Sequence, residues 1–150
     1  VRLEVPVIIN GRLDIAMAVG AAGVHRGPDD LPCAAAGKIL GEDYLIGVSA
    51  HNPAEAKAAL QNGADYLGCG AVFGTATKAD VQKLGTDGLA AICREKGLPV
   101  VGIGGVTADN YREVRAAGAD GAVIVSGILA QSDIRATVKA IAKVSQEFAK

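Results

Sequence analysis

Polar or glycine residues stand wherever a short apolar run of this chain stops: Asn10, His25, Ser49, Gly70, Gly104-Gly105 and Ser126. Gly104-Gly105 and Ser126-Gly127 follow the last two runs. Glycine there lets backbone N–H groups approach an anion, so two such loops point to phosphate binding rather than to tight turns alone. Phe73-Gly74-Thr75-Ala76-Thr77-Lys78 is a polar loop whose two hydroxyls and ammonium suit a phosphate or a diphosphate leaving group. Asp29 and Asp30 are adjacent acids just past His25. They suit Mg²⁺, which takes one or two carboxylates plus phosphate oxygens; they equally suit the charge preference of a helix start before Leu31-Pro32. His25 offers either a substrate contact or a structural hydrogen bond, and Asn10 either a ligand contact or a cap for the helix holding Ile15 and Val19. No activating third group accompanies Ser49-Ala50-His51. Ser49 therefore reads as a ligand contact and His51 as a loop residue.

The elements that must position these residues alternate. Apolar runs at Val5–Ile9, Gly23–His25, Leu45–Ser49, Tyr66–Gly70, Pro99–Ile103 and Ala122–Val125 read as strands buried on both faces of a parallel sheet. Alanine-rich amphipathic stretches separate them. Asn52-Pro53-Ala54-Glu55 is a helix start with a cap, a first-turn proline and an acid, and Gly63 ends that helix. Thr107 and Gly118 bracket another helix, as do Thr86 and Gly97. The last helix begins near Ser132 and carries Ile134, Val138, Ile141 and Val144 on one face. Gly20-Ala21-Ala22-Gly23-Val24, Gly63-Ala64-Asp65-Tyr66-Leu67 and Gly118-Ala119-Asp120-Gly121-Ala122 repeat one helix-end, turn and strand pattern. A doubly wound nucleotide-binding sheet predicts GxGxxG after its first strand, and Gly102-Ile103-Gly104-Gly105-Val106-Thr107 does not fit. Polar strand ends predict a (β/α) barrel instead.

Composition agrees with one domain. The chain has 150 residues, is 50% hydrophobic and has a net charge of −1. It lacks the basic stripe of a nucleic-acid binder and any apolar run of membrane-spanning length. Cys33, Cys69 and Cys93 are odd in number and without metal-ligand spacing, so they read as free buried thiols in a reducing, cytoplasmic setting.

Taken together, Ile8-Ile9-Asn10-Gly11-Arg12-Leu13-Asp14-Ile15-Ala16, Gly23-Val24-His25-Arg26-Gly27-Pro28-Asp29-Asp30, Gly47-Val48-Ser49-Ala50-His51, Thr75-Ala76-Thr77-Lys78, Ile103-Gly104-Gly105 and Val125-Ser126-Gly127-Ile128 resemble the thiamine-phosphate synthase family in order and spacing. The resemblance implies a (β/α)₈ TIM barrel and a transferase of thiamine biosynthesis. Its substrates would be a hydroxymethylpyrimidine diphosphate and a thiazole phosphate. Its products would be thiamine phosphate and pyrophosphate, formed as the diphosphate leaves and the thiazole nitrogen captures a pyrimidine cation. The resemblance assigns Asp30 to Mg²⁺. It sets Asn10, Ser49 and Lys78 on the pyrimidine diphosphate, with Lys78 countering charge on the leaving group and Ser49 and Lys78 closest to the chemistry. His25 would add a substrate contact. Thr75, Ala76, Thr77, Gly105, Val125 and Ser126, beside Gly104, would hold the thiazole phosphate. Small-molecule substrates are the partners implied, with neither nucleic acid nor membrane; a homo-oligomer is allowed, and a plastid location is an option in a photosynthetic eukaryote.

Three departures qualify the resemblance. Gly11 stands where the family has a second Mg²⁺-binding aspartate. Pro28 replaces a glutamine, and Arg26 an apolar residue; Arg26 reads either as a diphosphate contact or as an exposed arginine without a role. The first residues match the family's third strand, so residues 1–150 are expected to form units 3 to 8 of the barrel. Two front strands and a basic diphosphate-gripping motif are expected to be absent, leaving two unpaired edges. Two alternatives follow. A thiazole tautomerase-like isomerase tolerates glycine after the asparagine but needs an acid/base histidine where Ala71 stands. A non-catalytic phosphate-binding remnant needs neither.

Overall fold

The computed structural model describes residues 4–74, 82–95 and 97–149. Strands β1 (Ile8–Asn10), β2 (Gly23–Arg26), β3 (Leu45–Ala50), β4 (Tyr66–Gly70), β5 (Val100–Ile103) and β6 (Gly121–Val123) form one parallel sheet in strict chain order. Helices α1 (Leu13–Val19), α2 (Cys33–Leu40), α3 (Pro53–Gln61), α4 (Gly85–Cys93) and α5 (Tyr111–Ala116) follow β1 to β5 in turn, and α6 (Ser126–Leu129) and α7 (Ile134–Glu147) follow β6. A strand order that never reverses is the wall of a barrel, not a doubly wound sheet.

Period-two alternation divides each strand between two faces. Val24 pairs with Ile46, and Leu67 pairs with both Val48 and Val100; these residues face the helices. Ala16, Ala36 and Leu40 cover the β2–β3 part, while Ala56, Ala59, Leu89, Ile92 and Val114 cover the β3–β5 part. The buried alanines let helices lie close to the sheet. Larger side chains such as Leu89 and Ile92 each contribute about 1.5–3 kcal/mol by burial. On the other face Leu45, Ile103 and Val123 remain 38–45% exposed.

The repeated turn has a common construction. Gly20, Gly63 and Gly118 all adopt positive φ (61°, 85° and 103°), the conformation that ends a helix most cheaply with glycine. Two residues on, the Asp65 carboxylate accepts from the Ile46 N–H (2.7 Å) while the Asp65 N–H donates to the Ile46 carbonyl (2.8 Å). Asp120 makes the same pair of bonds to Val100 (2.9 and 2.8 Å). In the first copy alanine replaces aspartate, and the Ala22 N–H alone reaches the Val7 carbonyl (2.9 Å).

Several expected boundaries shift. The first strand is Ile8–Asn10 rather than Val5–Ile9. β6 ends at Val123 because Val125 already accepts the first bonds of α6, from Ile128 and Leu129. The helix expected from Thr107 begins at Tyr111, since the Asn110 side chain accepts from the Thr107 N–H (2.8 Å) and donates to the Gly105 carbonyl (2.9 Å), holding those residues as a turn. The last helix does begin near Ser132: Asp133 caps α7, its side chain accepting from the Ala136 N–H at 2.8 Å. Only the second half of its apolar face is packed: Ile141 and Val144 meet the core, whereas Ile134 and Val138 are about half exposed. Arg115 pins that half through Ser145 Oγ (3.0 Å) and the Phe148 ring (5.3 Å to its centre). The three cysteines are free, but only Cys69 is fully buried; Cys33 and Cys93 are partly exposed. Among the described residues no helix is long and apolar enough to cross a membrane.

Candidate active site at the carboxyl ends of the strands

The register brings the expected polar residues together on the inner face. Asn10, His25, Gly47 and Tyr66 form one row across β1–β4; Ser49, Gly68, Val101 and Gly121 form the next. His25 joins the two rows. Its Nδ1 lies 3.0 Å from the Tyr66 hydroxyl and its Nε2 lies 3.0 Å from Ser49 Oγ. Glycines make the room: a Cβ on Gly47 would overlap the Tyr66 ring, and one on Gly68 would sit 2.8 Å from His25 Cε1. Burial lowers the His25 pKa while the Asp30 charge pulls it upward, and the net shift is down. Burial raises that of the Tyr66 hydroxyl. Both groups are therefore neutral near pH 7. Tyr66 is the functional candidate that polar strand ends do not reveal, because it begins its strand; an aromatic facing glycine on a neighbouring strand is the signal that could have found it.

Asn10 is exposed and supplies no helix cap, since the N-cap of α1 is Arg12. His51 is exposed and bonded to Glu55 (2.9 Å), outside the inner cluster. Asp30 is fixed at the β2–α2 loop, where its Oδ2 accepts from the Gly27 N–H at 2.7 Å. Gly11, at φ 76°, lies beside it: a Cβ built there would be 3.5 and 3.6 Å from the two Asp30 carboxylate oxygens. Asp29 is exposed and makes no side-chain bond among the described residues.

Arg26 corrects both of its sequence readings. It is only 3% exposed and sits on the helix side of β2. It donates to the Leu31 carbonyl from Nε and Nη2 (2.9 and 2.7 Å) and to the Gly11 carbonyl from Nη1 (2.9 Å). Its role is to tie the loops carrying Gly11 and Asp30 together, with the planar fork that only guanidinium provides.

The glycines expected to bind phosphate also have packing reasons. Gly104 and Gly105 adopt φ 97° and 67°. A Cβ on Gly104 would meet Ala71 at 2.6 Å, and one on Gly105 would meet Phe73 and the Gly74 carbonyl. Gly127 is pressed against the Val106 carbonyl in the same way. The loops after β4, β5 and β6 are thus in mutual contact, with Val125 and Ser126 exposed beside them. Thr75, Ala76, Thr77 and Lys78 lie outside the described residues.

The family profile described as thiamine monophosphate synthase matches residues 2–128. The chain belongs to the thiamine monophosphate synthase family. Within it, the chain is 47% identical to the thiamine-phosphate synthase of Chloroflexus aurantiacus over 152 aligned positions, covering 99% of this chain and 70% of that protein. It is 45% identical to the thiamine-phosphate synthase of Ruminiclostridium cellulolyticum, covering 95% of this chain and 68% of that protein. The solved thiamine phosphate pyrophosphorylase of Pyrococcus furiosus superposes with a TM-score of 0.87 at 38% identity, covering 95% of this chain and 68% of that one. The curled six-stranded sheet is therefore six strands of the (β/α)₈ barrel of this family, with the first two strands absent from the described sheet.

Proposed function

We propose that this chain carries the thiamine-phosphate synthase reaction, joining a hydroxymethylpyrimidine diphosphate to a thiazole phosphate, as units 3 to 8 of the barrel. The observation that carries the reading is the inner-face cluster of His25, Ser49 and Tyr66, with Asn10 in register beside it, in a chain of this family. The C–O bond to the diphosphate breaks and takes its electron pair with the leaving group. The thiazole nitrogen then donates its lone pair to the exocyclic carbon, giving a thiazolium and releasing pyrophosphate. Such a displacement needs positioning and charge neutralisation, not a protein nucleophile. Among the described residues no carboxylate hydrogen-bonds the His25 ring, whose second nitrogen is held by Tyr66, and this suits that demand.

In this reading Asn10, His25 and Ser49 hold the pyrimidine substrate and Lys78 neutralises the departing diphosphate. Thr75, Ala76, Thr77, Gly104, Gly105, Val125 and Ser126 hold the thiazole phosphate. Mg²⁺ would rest on Asp30, whose Oδ1 has no hydrogen-bond partner among the described residues. A single carboxylate fits an ion that takes its remaining ligands from phosphate oxygens and water. Among the described residues no three acidic, histidine or cysteine side chains gather to form a closed cage. When bound, the ion would supply positive charge against the diphosphate.

Ala71, where the isomerase alternative needs a proton-transferring histidine, is buried against Gly104. The test supplies both phosphorylated substrates with Mg²⁺ and measures thiamine phosphate and pyrophosphate. Equimolar formation of the two is expected. No product, together with no binding of either substrate, removes the reading.

A further inference from the structure

We infer that Tyr66 is a positioning residue that fixes the tautomer of His25 and thereby makes the Ser49 hydroxyl a hydrogen-bond donor toward the inner face. This rests on the proposed function for the identity of the ligand, a pyrimidine substrate presenting an acceptor atom. It rests on the hydrogen-bond chain alone for the tautomer.

A neutral imidazole has one N–H donor and one lone-pair acceptor, so the partner of one nitrogen decides what the other can do. Nδ1 faces the Tyr66 hydroxyl and Nε2 faces Ser49 Oγ, each at 3.0 Å. A phenol is a far stronger acid than an alcohol, so Tyr66 is the better donor of the two. Among the described residues the Tyr66 hydroxyl has His25 Nδ1 as its one hydrogen-bond partner, and its proton is directed at that lone pair. The ring proton is then on Nε2 and is donated to Ser49 Oγ. That occupies a lone pair of the serine oxygen and frees the serine proton to point at a ligand. With the opposite tautomer Ser49 would donate to Nε2 and offer a ligand only a lone pair. One phenol, through one ring, thus sets the polarity of a hydroxyl on another strand.

The surroundings keep this chain in one arrangement. The two rings are tilted at 40° with centres 5.5 Å apart. Each lies over an inward-facing glycine, Tyr66 over Gly47 and His25 over Gly68, where any side chain would push the ring aside. Asp30 is the acidic group that acts on His25 at longer range. Neither nitrogen of the ring reaches it as a hydrogen-bond partner.

The test uses ¹⁵N-histidine-labelled protein and long-range ¹H–¹⁵N correlation at pH 8. The chain has two histidines, and a His51→Gln variant assigns the signals. Wild type should show the Nε2–H tautomer of His25. Tyr66→Phe, which keeps the ring and loses the hydroxyl, should draw the two ring-nitrogen shifts toward each other as the Nδ1–H form becomes populated. A wild-type Nδ1–H tautomer overturns the inference. So does a Tyr66→Phe spectrum in which the shifts stay fixed or move apart. In turnover assays Tyr66→Phe should raise KM for the pyrimidine diphosphate roughly tenfold and leave KM for thiazole phosphate within twofold. Equal changes in both, or none, overturn the link to the ligand. The expected tautomer response in a protein with no turnover supports the relay and strikes the proposed function instead.

Discussion

Replacing Gly11 by aspartate tests how the metal loop is built. Gly11 holds φ 76°, and its missing Cβ would lie 3.5 Å from Asp30 Oδ1. The substitution has two costs. A side chain in the left-handed region costs about 1–2 kcal/mol, least for Asp and Asn. The new carboxylate also faces Asp30: two like charges about 5 Å apart repel by about 1 kcal/mol in bulk water and about 3 kcal/mol at an effective dielectric of 20. Asp30 is partly exposed, which places the repulsion between these limits. Gly11→Asn carries the backbone cost without the charge. In chelator, Gly11→Asp should therefore melt below Gly11→Asn by about 1–3 kcal/mol. At about 2–4 °C per kcal/mol for a chain of this size, that is roughly 2–12 °C. Mg²⁺ should close the gap or reverse it, because a site at one hundred times its Kd returns about 2.7 kcal/mol. Thermal unfolding followed by circular dichroism, with and without Mg²⁺, reads all of this. Equal melting of the two variants in chelator, or an equal Mg²⁺ response in both, would refute the placement of Asp30 against Gly11.

Arg26→Met should lower stability by about 2–4 kcal/mol, read as a fall in urea midpoint, because it removes a buried guanidinium that donates three hydrogen bonds to the Gly11 and Leu31 carbonyls; Arg26→Lys should recover only part of it, and full recovery would count against the fork geometry. His25 binds its proton less readily in the folded chain than in the unfolded one. The unfolded state then holds more protons as pH falls through the ordinary imidazole value of about 6.5 toward the lower folded one, so stability should drop across that window. His25→Gln should flatten that slope, and an unchanged slope refutes the assignment. Burial pushes the Cys69 thiol up to about 12, so a disulfide reagent at pH 8 should leave it unmodified until the chain unfolds, while partly exposed Cys33 and Cys93 react first.

The alternation of apolar runs with alanine-rich stretches was enough to place all six strands and the order of their helices, because the central strands bury most of their helix side and the edge strands β1 and β6 part of theirs. The ends of elements were less legible. Val125 looks like strand by hydropathy, yet its carbonyl is taken by α6; Asn110 looks like helix, yet its side chain holds the turn before it. Polar residues at strand ends led directly to His25 and Ser49. Tyr66 escaped because the row it belongs to is set by register between strands, not by position along one. Arg26 escaped for a related reason: its side of β2 was readable from its neighbours, but the carbonyls it binds come from loops whose paths the sequence does not spell out. The phosphate-loop glycines were found for one reason and have a second, since their missing side chains also let three loops touch.

The paired bonds of Asp65 to Ile46 and of Asp120 to Val100 carry a consequence for how such a sheet assembles. Each joins a turn to the strand immediately before its own in the chain, across about 20 residues. Alignment is therefore passed from one unit to the next at short range, and contacts of low sequence separation form quickly. A sheet stitched in this way acquires its stagger locally, strand by strand, and does not wait for a first and a last strand to meet.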